Sequence, residues 1–171
     1  MAVLPIITQE NPHIRRKANR VPRVDASVQR LMDDLLETML ANNGVGLAAV
    51  QVDVPLRVIV VKVDNQVFQL ANPEMVRAEG EQIGYEGCLS VPGMIGEVAR
   101  AERVVVKGLN RHGKEVRIKG SELLARAFQH EIDHLDGILF LDKLTSIDTL
   151  RKVDDLPDED RVDGEGVTLA V

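Results

Sequence analysis

The chain has 171 residues, 44% of them apolar and 28% charged, which suffices for one domain with its own core and excludes a mostly disordered polypeptide. No apolar run reaches the length of a membrane span, and residues 1–5 lack the basic stretch and apolar core of a secretory signal, so the expected compartment is the cytoplasm, with no membrane partner. The net charge of −6 sits at one end: residues 154–171 hold seven acids against Arg161 alone, leaving twenty acids and twenty bases in residues 1–153.

That distribution predicts a single domain over residues 1–153 and an acidic, disordered tail over 154–171. A neutral body argues against direct sequence-specific binding of nucleic acid. The cluster Arg15, Arg16, Lys17, Arg20 and Arg23 reads as a solvated basic face.

In chain order, the first periodic segment places apolar residues at Val28, Leu31, Met32, Leu35, Leu36, Met39 and Leu40, the stripe of an amphipathic helix. Asp25 is its cap and Asn42-Asn43-Gly44 its stop. A β-branched run over residues 56–63 predicts a buried strand, and residues 67–70, beyond Asp64-Asn65, its hairpin partner. Further strands are predicted near residues 75–79, 98–101, 103–109 and 115–119, with a turn at Asn110-Arg111-His112-Gly113 between the last two. A second helix is predicted over residues 121–135, ending at Gly137. Helix, several strands, helix, with hairpins and few crossovers, is the signature of an α+β fold built mainly from antiparallel sheet.

Gly44-Val45-Gly46-Leu47-Ala48-Ala49 matches the G-x-G-x-x-A form of a dinucleotide-binding fingerprint. That motif needs a strand before it and a helix after it, whereas here a helix precedes and a strand follows. Nucleotide binding at this loop is rejected, and what survives is a segment of small residues that a backbone or ligand can approach closely.

The second helix carries His130-Glu131-Ile132-Asp133-His134, an H-E-x-x-H sequence. Residues four apart share a helix face, so both imidazoles can reach one metal ion while Glu131, rotated off that line, can address a nucleophilic water. A hydrolytic metal site takes three protein ligands. For the third, His13 and His112 read as surface residues, and Asp136 and Asp142 are downstream alternatives. Cys88, the chain's one cysteine, is the better candidate: it stands in Glu86-Gly87-Cys88-Leu89-Ser90, between a glycine that admits close approach and the Pro92-Gly93 turn. Helix phase places Leu123 and Ala127 on the face of the two histidines, so apolar positions lie beside the candidate ligands.

Taken together, Gly44-Val45-Gly46-Leu47-Ala48-Ala49-Val50-Gln51, Glu86-Gly87-Cys88-Leu89-Ser90 and Gln129-His130-Glu131-Ile132-Asp133-His134-Leu135-Asp136-Gly137 resemble the three ordered motifs of the peptide deformylases. Two positions depart from the family pattern. Val50 stands where proline is usual, and Ile95 where many members carry an arginine that helps hold substrate.

The resemblance implies antiparallel sheets packed around a central helix that bears the H-E-x-x-H motif. It implies Cys88, His130 and His134 as ligands of one divalent metal, Fe2+ by expectation, with Zn2+, Ni2+ or Co2+ as alternatives. It implies Glu131 as the acid and base, with Gln51 and the backbone N–H of Leu89 beside the developing oxyanion. The implied reaction removes formate from the N-terminal formyl-methionine of nascent polypeptides. The methionine would enter the pocket of Val45, Leu123, Arg126 and Ala127, and the extended peptide would lie against backbone at Gly46, Glu86 and Gly87. The ribosome is a candidate partner, through Arg151 and Lys152. Two competing readings are a zinc peptidase that takes its third ligand downstream and a metal-stabilised peptide-binding module without catalysis.

Overall fold

The computed structural model describes residues 1–156; residues 157–171, most of the segment expected to be disordered, lie outside the described residues. Helix α1 (Ala26–Ala41) forms where the apolar stripe predicts it. The Asp25 side chain accepts from the Val28 N–H, satisfying one of the free donors of the first turn. Val28, Met32, Leu35 and Met39 are buried along one face. Asn43, in the left-handed region at φ 56°, ends the helix.

Among the described residues, eight strands follow the antiparallel reading: β1 (Gly46–Ala48), β2 (Val58–Val63), β3 (Gln66–Glu79), β4 (Gln82–Cys88), β5 (Val91–Arg100), β6 (Arg103–Leu109), β7 (Glu115–Ser121) and β8 (Arg151–Lys152). They make a five-stranded sheet in the order β1-β2-β3-β6-β7 and a three-stranded sheet in the order β4-β5-β8. Asp64 and Asn65, both at positive φ, close the β2–β3 hairpin with the two-residue geometry that matches strand twist. The two segments expected near 67–70 and 75–79 are one strand. Their junction carries register shifts between Ala71 and Glu74 and between Met75 and Arg77, where Pro73 is accommodated.

Helix α2 (Glu122–Leu135) packs against strands of both sheets. Strand β2 explains why its sequence is apolar without alternation. Val58 and Val60 face α1, while Ile59 and Val61 face the cluster of Ala127, Phe128, Ile132 and Leu135 on α2. Both faces of the strand are therefore buried, each large side chain contributing about 1.5–3 kcal/mol. A third cluster gathers Ile14, Cys88, Val91, Val98, Leu139 and Phe140 on the small sheet. No helix is long and apolar enough to cross a membrane among the described residues. Val153–Asp155 forms a 3-10 turn and Leu156 is buried, so structure continues three residues past the boundary read at 153.

Gly137 ends α2 at φ +76°, and a Cβ there would lie 2.3 Å from the Arg15 carbonyl oxygen; Gly93, at φ +78°, has nothing within 4 Å. Gly137→Ala is therefore expected to lower stability by about 2 kcal/mol or more and Gly93→Ala by about half of that, measured by urea unfolding. Equal losses would show that backbone conformation alone, not the Arg15 contact, sets the requirement.

Candidate metal centre

Two elements bring three donors together. Helix α2 holds His130 and His134 one turn apart on its buried face. Strand β4 ends in Cys88 where its register with β5 slips, Gly87 facing Ile95 while Cys88 faces Val91. The Cys88 Sγ lies 3.3 Å from His134 Nε2, which lies 3.1 Å from His130 Nε2, and the donor atoms all fall within 4.8 Å of one another. All three side chains are buried. Burial, and after it the charge of Glu131, pushes the Cys88 thiol up to about 12. A thiolate in this position needs a cation beside it. One thiol and two imidazoles converging on a point suit a first-row divalent ion, so the residues fit a bound metal.

The second layer holds the first in place. Glu86, fully buried on β4, accepts from His130 Nδ1 at 2.7 Å, which leaves His130 Nε2 as the ligating atom. The same carboxylate accepts from Arg100 Nε and Nη2, each at 2.8 Å, and from Arg126 Nη1 at 2.6 Å. Arg100 also donates to Asp133 on α2 at 2.6 Å. Burial by itself would raise the pKa of Glu86, but the hydrogen bonds from Arg100 and His130 and their charges outweigh it and hold the carboxyl well below the usual range.

Glu131 has the opposite environment. Its side chain is fully buried and neither carboxyl oxygen has a hydrogen-bond partner among the described residues. Burial first, and the charge of Glu86 second, raise its pKa well above the ordinary value. Gly46 of β1 makes room for it, since a Cβ there would lie 2.8 Å from Glu131 Cγ. Gln51, on the 3-10 turn Ala49–Val52, is pinned at both ends of its amide: Oε1 accepts from the Ala48 N–H at 2.9 Å, and Nε2 donates to Ser90 Oγ at 3.1 Å, 3.7 Å from Cys88 Sγ. Val50 is buried beside α2, so the departure from proline leaves this anchoring intact. Leu89 sits half-buried in the turn after Cys88.

The remaining residues singled out in the sequence fall into two groups. Gly46 and Gly87 lie on strands that border the centre; Val45 stands just before β1, where its carbonyl accepts from Lys62 N–H at 2.8 Å. Leu123 is half-buried and Ala127 fully buried on α2. Glu86 and Arg126 turn their side chains into the ion-pair network, the Arg126 head group also reaching the Val98 carbonyl at 3.2 Å. Ile95 is 1% exposed. The alternative third ligands are engaged elsewhere: His13 with Asp53, Asp136 with Arg57, and Asp142 with Arg15, while His112 stands in the β6–β7 turn.

Arg100 and Asp133 were not read as site residues. A charged residue at a strand end and an acid inside a helix look like solvent-facing positions, and only pairing across elements reveals them. Two clefts of about 300 and 390 Å³ lie on the outer face of β3, β6 and β7, lined by residues such as Arg77, Val105 and Lys119, and none of the site residues borders them.

Comparison with known proteins gives a consistent picture. A family model described as polypeptide deformylase matches residues 3–150. The chain is 49% identical to a peptide deformylase of Thermomicrobium roseum over 98% of this chain and 99% of that protein. It is 53% identical to one of Acetivibrio thermocellus over 84% and 85%. Among solved structures, it is similar to the crystal structure of a peptide deformylase from Legionella pneumophila, with a TM-score of 0.82 and 43% identity over 85% of this chain and 88% of that one. It is also similar to the Ehrlichia chaffeensis peptide deformylase in complex with actinonin, with a TM-score of 0.84 and 39% identity over 87% and 92%.

Glu86→Gln keeps the shape of the residue that aims His130 but removes its charge. Metal affinity is expected to fall by about 10–100-fold, read as the chelator concentration that strips cobalt from the protein. Unchanged affinity would show that α2 alone orients the histidine.

Proposed function

The chain belongs to the polypeptide deformylase family and removes the formyl group from the N-terminal formyl-methionine of nascent polypeptides, releasing formate, and we propose that Glu131 is the acid and base of this hydrolysis. One observation carries the assignment: a wholly buried carboxyl with no hydrogen-bond partner among the described residues stands beside three converging metal donors, its Oε1 3.8 Å from His130 Nε2. A purely structural metal site has no use for such a group, which disfavours a binding module without turnover. The peptidase reading loses its basis because each downstream acid that it needs is paired away from the centre.

Cys88, His130 and His134 would hold the metal. When bound, a divalent ion supplies Lewis acidity, which makes water a nucleophile near neutral pH and polarises the formyl carbonyl. Glu131 takes the proton that this water loses and hands it to the departing amine, so that formate and a free N-terminus leave together. The Gln51 amide and the Leu89 N–H are the donors proposed to face the oxygen on which negative charge grows.

The edges of the two sheets suit the substrate. β1 ends one sheet and β4 the other, and both lead to the metal centre with their outer backbone groups unpaired by any strand among the described residues. An extended peptide can add to such edges through main-chain hydrogen bonds, which tolerates many sequences. The first side chain would lie toward Leu123 and Ala127 on α2. Iron(II) is the proposed native ion, the cytoplasm the proposed compartment, and the ribosome a proposed partner through Arg151 and Lys152.

Protein prepared without oxygen is expected to release formate from formyl-Met-Ala-Ala, and Glu131→Gln carrying the same metal to do so at least about 100-fold more slowly. Formate release by the variant at the wild-type rate would overturn the role of Glu131. Gln51→Ala is expected to cost about 2.7–4 kcal/mol of barrier, read from kcat/KM on the same peptide.

A further inference from the structure

Strand β8 brings a cation to the outer face of the small sheet. Arg151 pairs with Ile95, and Ile95 in turn with Gly87, so the three form one row across β8, β5 and β4. Directly opposed residues of antiparallel strands project to the same face, and residues two apart on one strand do so as well. Tyr85 therefore shares the face of Gly87, Ile95 and Arg151. The Arg151 side chain crosses this row, with its Cζ 5.3 Å from the centroid of the Tyr85 ring. No carboxylate is paired with Arg151 among the described residues, and the residue is exposed. Glu86, between Tyr85 and Gly87, points the other way, into the buried network beneath His130.

We propose that Arg151, held over Tyr85, selects the residue that follows the formyl-methionine and favours an acidic side chain there. This rests on the reading of the site given above. A peptide added antiparallel to the free edge of β4, with its formyl group at the Cys88 end, runs from Gly87 toward Gln82. Its first side chain turns inward to α2, on the face of Glu86. Strand alternation then sends the second side chain to the opposite face, level with Gly87 and beside Tyr85. Gly87 offers no side chain of its own there, so the phenol ring and the guanidinium lying across it border the position, while Glu97, opposite Tyr85 on β5 and on the same face, turns its Oε1 to the Thr145 hydroxyl at 2.7 Å. A carboxylate at that position meets the planar donor fork of Arg151, and an ammonium meets a like charge.

Three peptides test this: formyl-Met-Glu-Ala, formyl-Met-Ala-Ala and formyl-Met-Lys-Ala, each assayed for kcat/KM with the metal-loaded enzyme. The wild type is expected to favour the glutamate over the lysine peptide by about fivefold at low salt, a ratio that shrinks in 0.5 M salt, where the Debye length is about 4 Å. The ratio is expected to fall to about one in Arg151→Ala and to invert in Arg151→Glu. Because each ratio is taken within one preparation, it is insensitive to the fraction of protein that is folded. A wild-type ratio near one, or a ratio that survives in Arg151→Ala, overturns the proposal while leaving the deformylation reading in place. A wild type that turns over none of the three peptides overturns that reading, and this proposal with it.

Discussion

Glu86 places a carboxylate where no water reaches it, and the arrangement of the centre follows from how that charge is neutralised. Two guanidiniums and one imidazole converge on its oxygens at 2.6–2.8 Å. Removing either guanidinium would leave a net negative charge in the interior, which costs several kcal/mol. The partners belong to different elements: Glu86 to β4, Arg100 to β5, and Arg126, His130 and Asp133 to α2. The metal donors are divided in the same way, Cys88 on β4 and the two histidines on α2. The network that satisfies Glu86 thus also fixes the distance between the thiol and the imidazoles, a distance that neither element sets alone.

Glu86 and Glu131 show how one small volume gives two carboxyls opposite properties. Both are buried, and burial pushes both toward the neutral acid. Hydrogen bonds reverse the outcome for Glu86 and are absent for Glu131. The charge of the first then adds to the proton affinity of the second. A carboxylate that only orients a ligand is best kept ionised, whereas a group that accepts and returns a proton must hold both states within reach. Gly46 belongs to this division, because a side chain there would displace the Glu131 carboxyl from the space it occupies.

Much of this was legible in the sequence, and the parts that were not share a physical reason. The helix stripe of Val28, Met32, Leu35 and Met39, the buried run of β2 and the bounds of β6 follow from local periodicity, and the structure places them as read. The three converging donors follow from helix phase and from the chemistry of the one thiol. Strand β4 escaped because Gly84, Glu86 and Gly87 interrupt any alternation of apolar residues. Its burial is set by charged partners on β5 and α2, about which a local window carries no information. Strand β1 is three residues long, too short for a period. Arg100 and Asp133 were missed because an isolated charge reads as solvated, and only the fold shows each to be the other's partner.

Free sheet edges are a hazard, since an unpaired row of N–H and C=O groups invites pairing with another chain. The two edges that border the centre limit that hazard while keeping one use of it. β1 is three residues long, and β4 ends in a register slip beside Gly87, so neither offers a long flat template to a second copy of the sheet. A single extended peptide needs only a few main-chain bonds and a fixed starting point, and the metal centre supplies that starting point at the Cys88 end of β4. Selection along the rest of the peptide must then come from side chains laid over the edge from neighbouring strands. Arg151, reaching over Ile95 from β8 to Tyr85, is such a side chain. The short C-terminal strand therefore does more than close the small sheet: it brings a charge to a strand whose own residues near the centre are a glycine and a carboxylate turned inward.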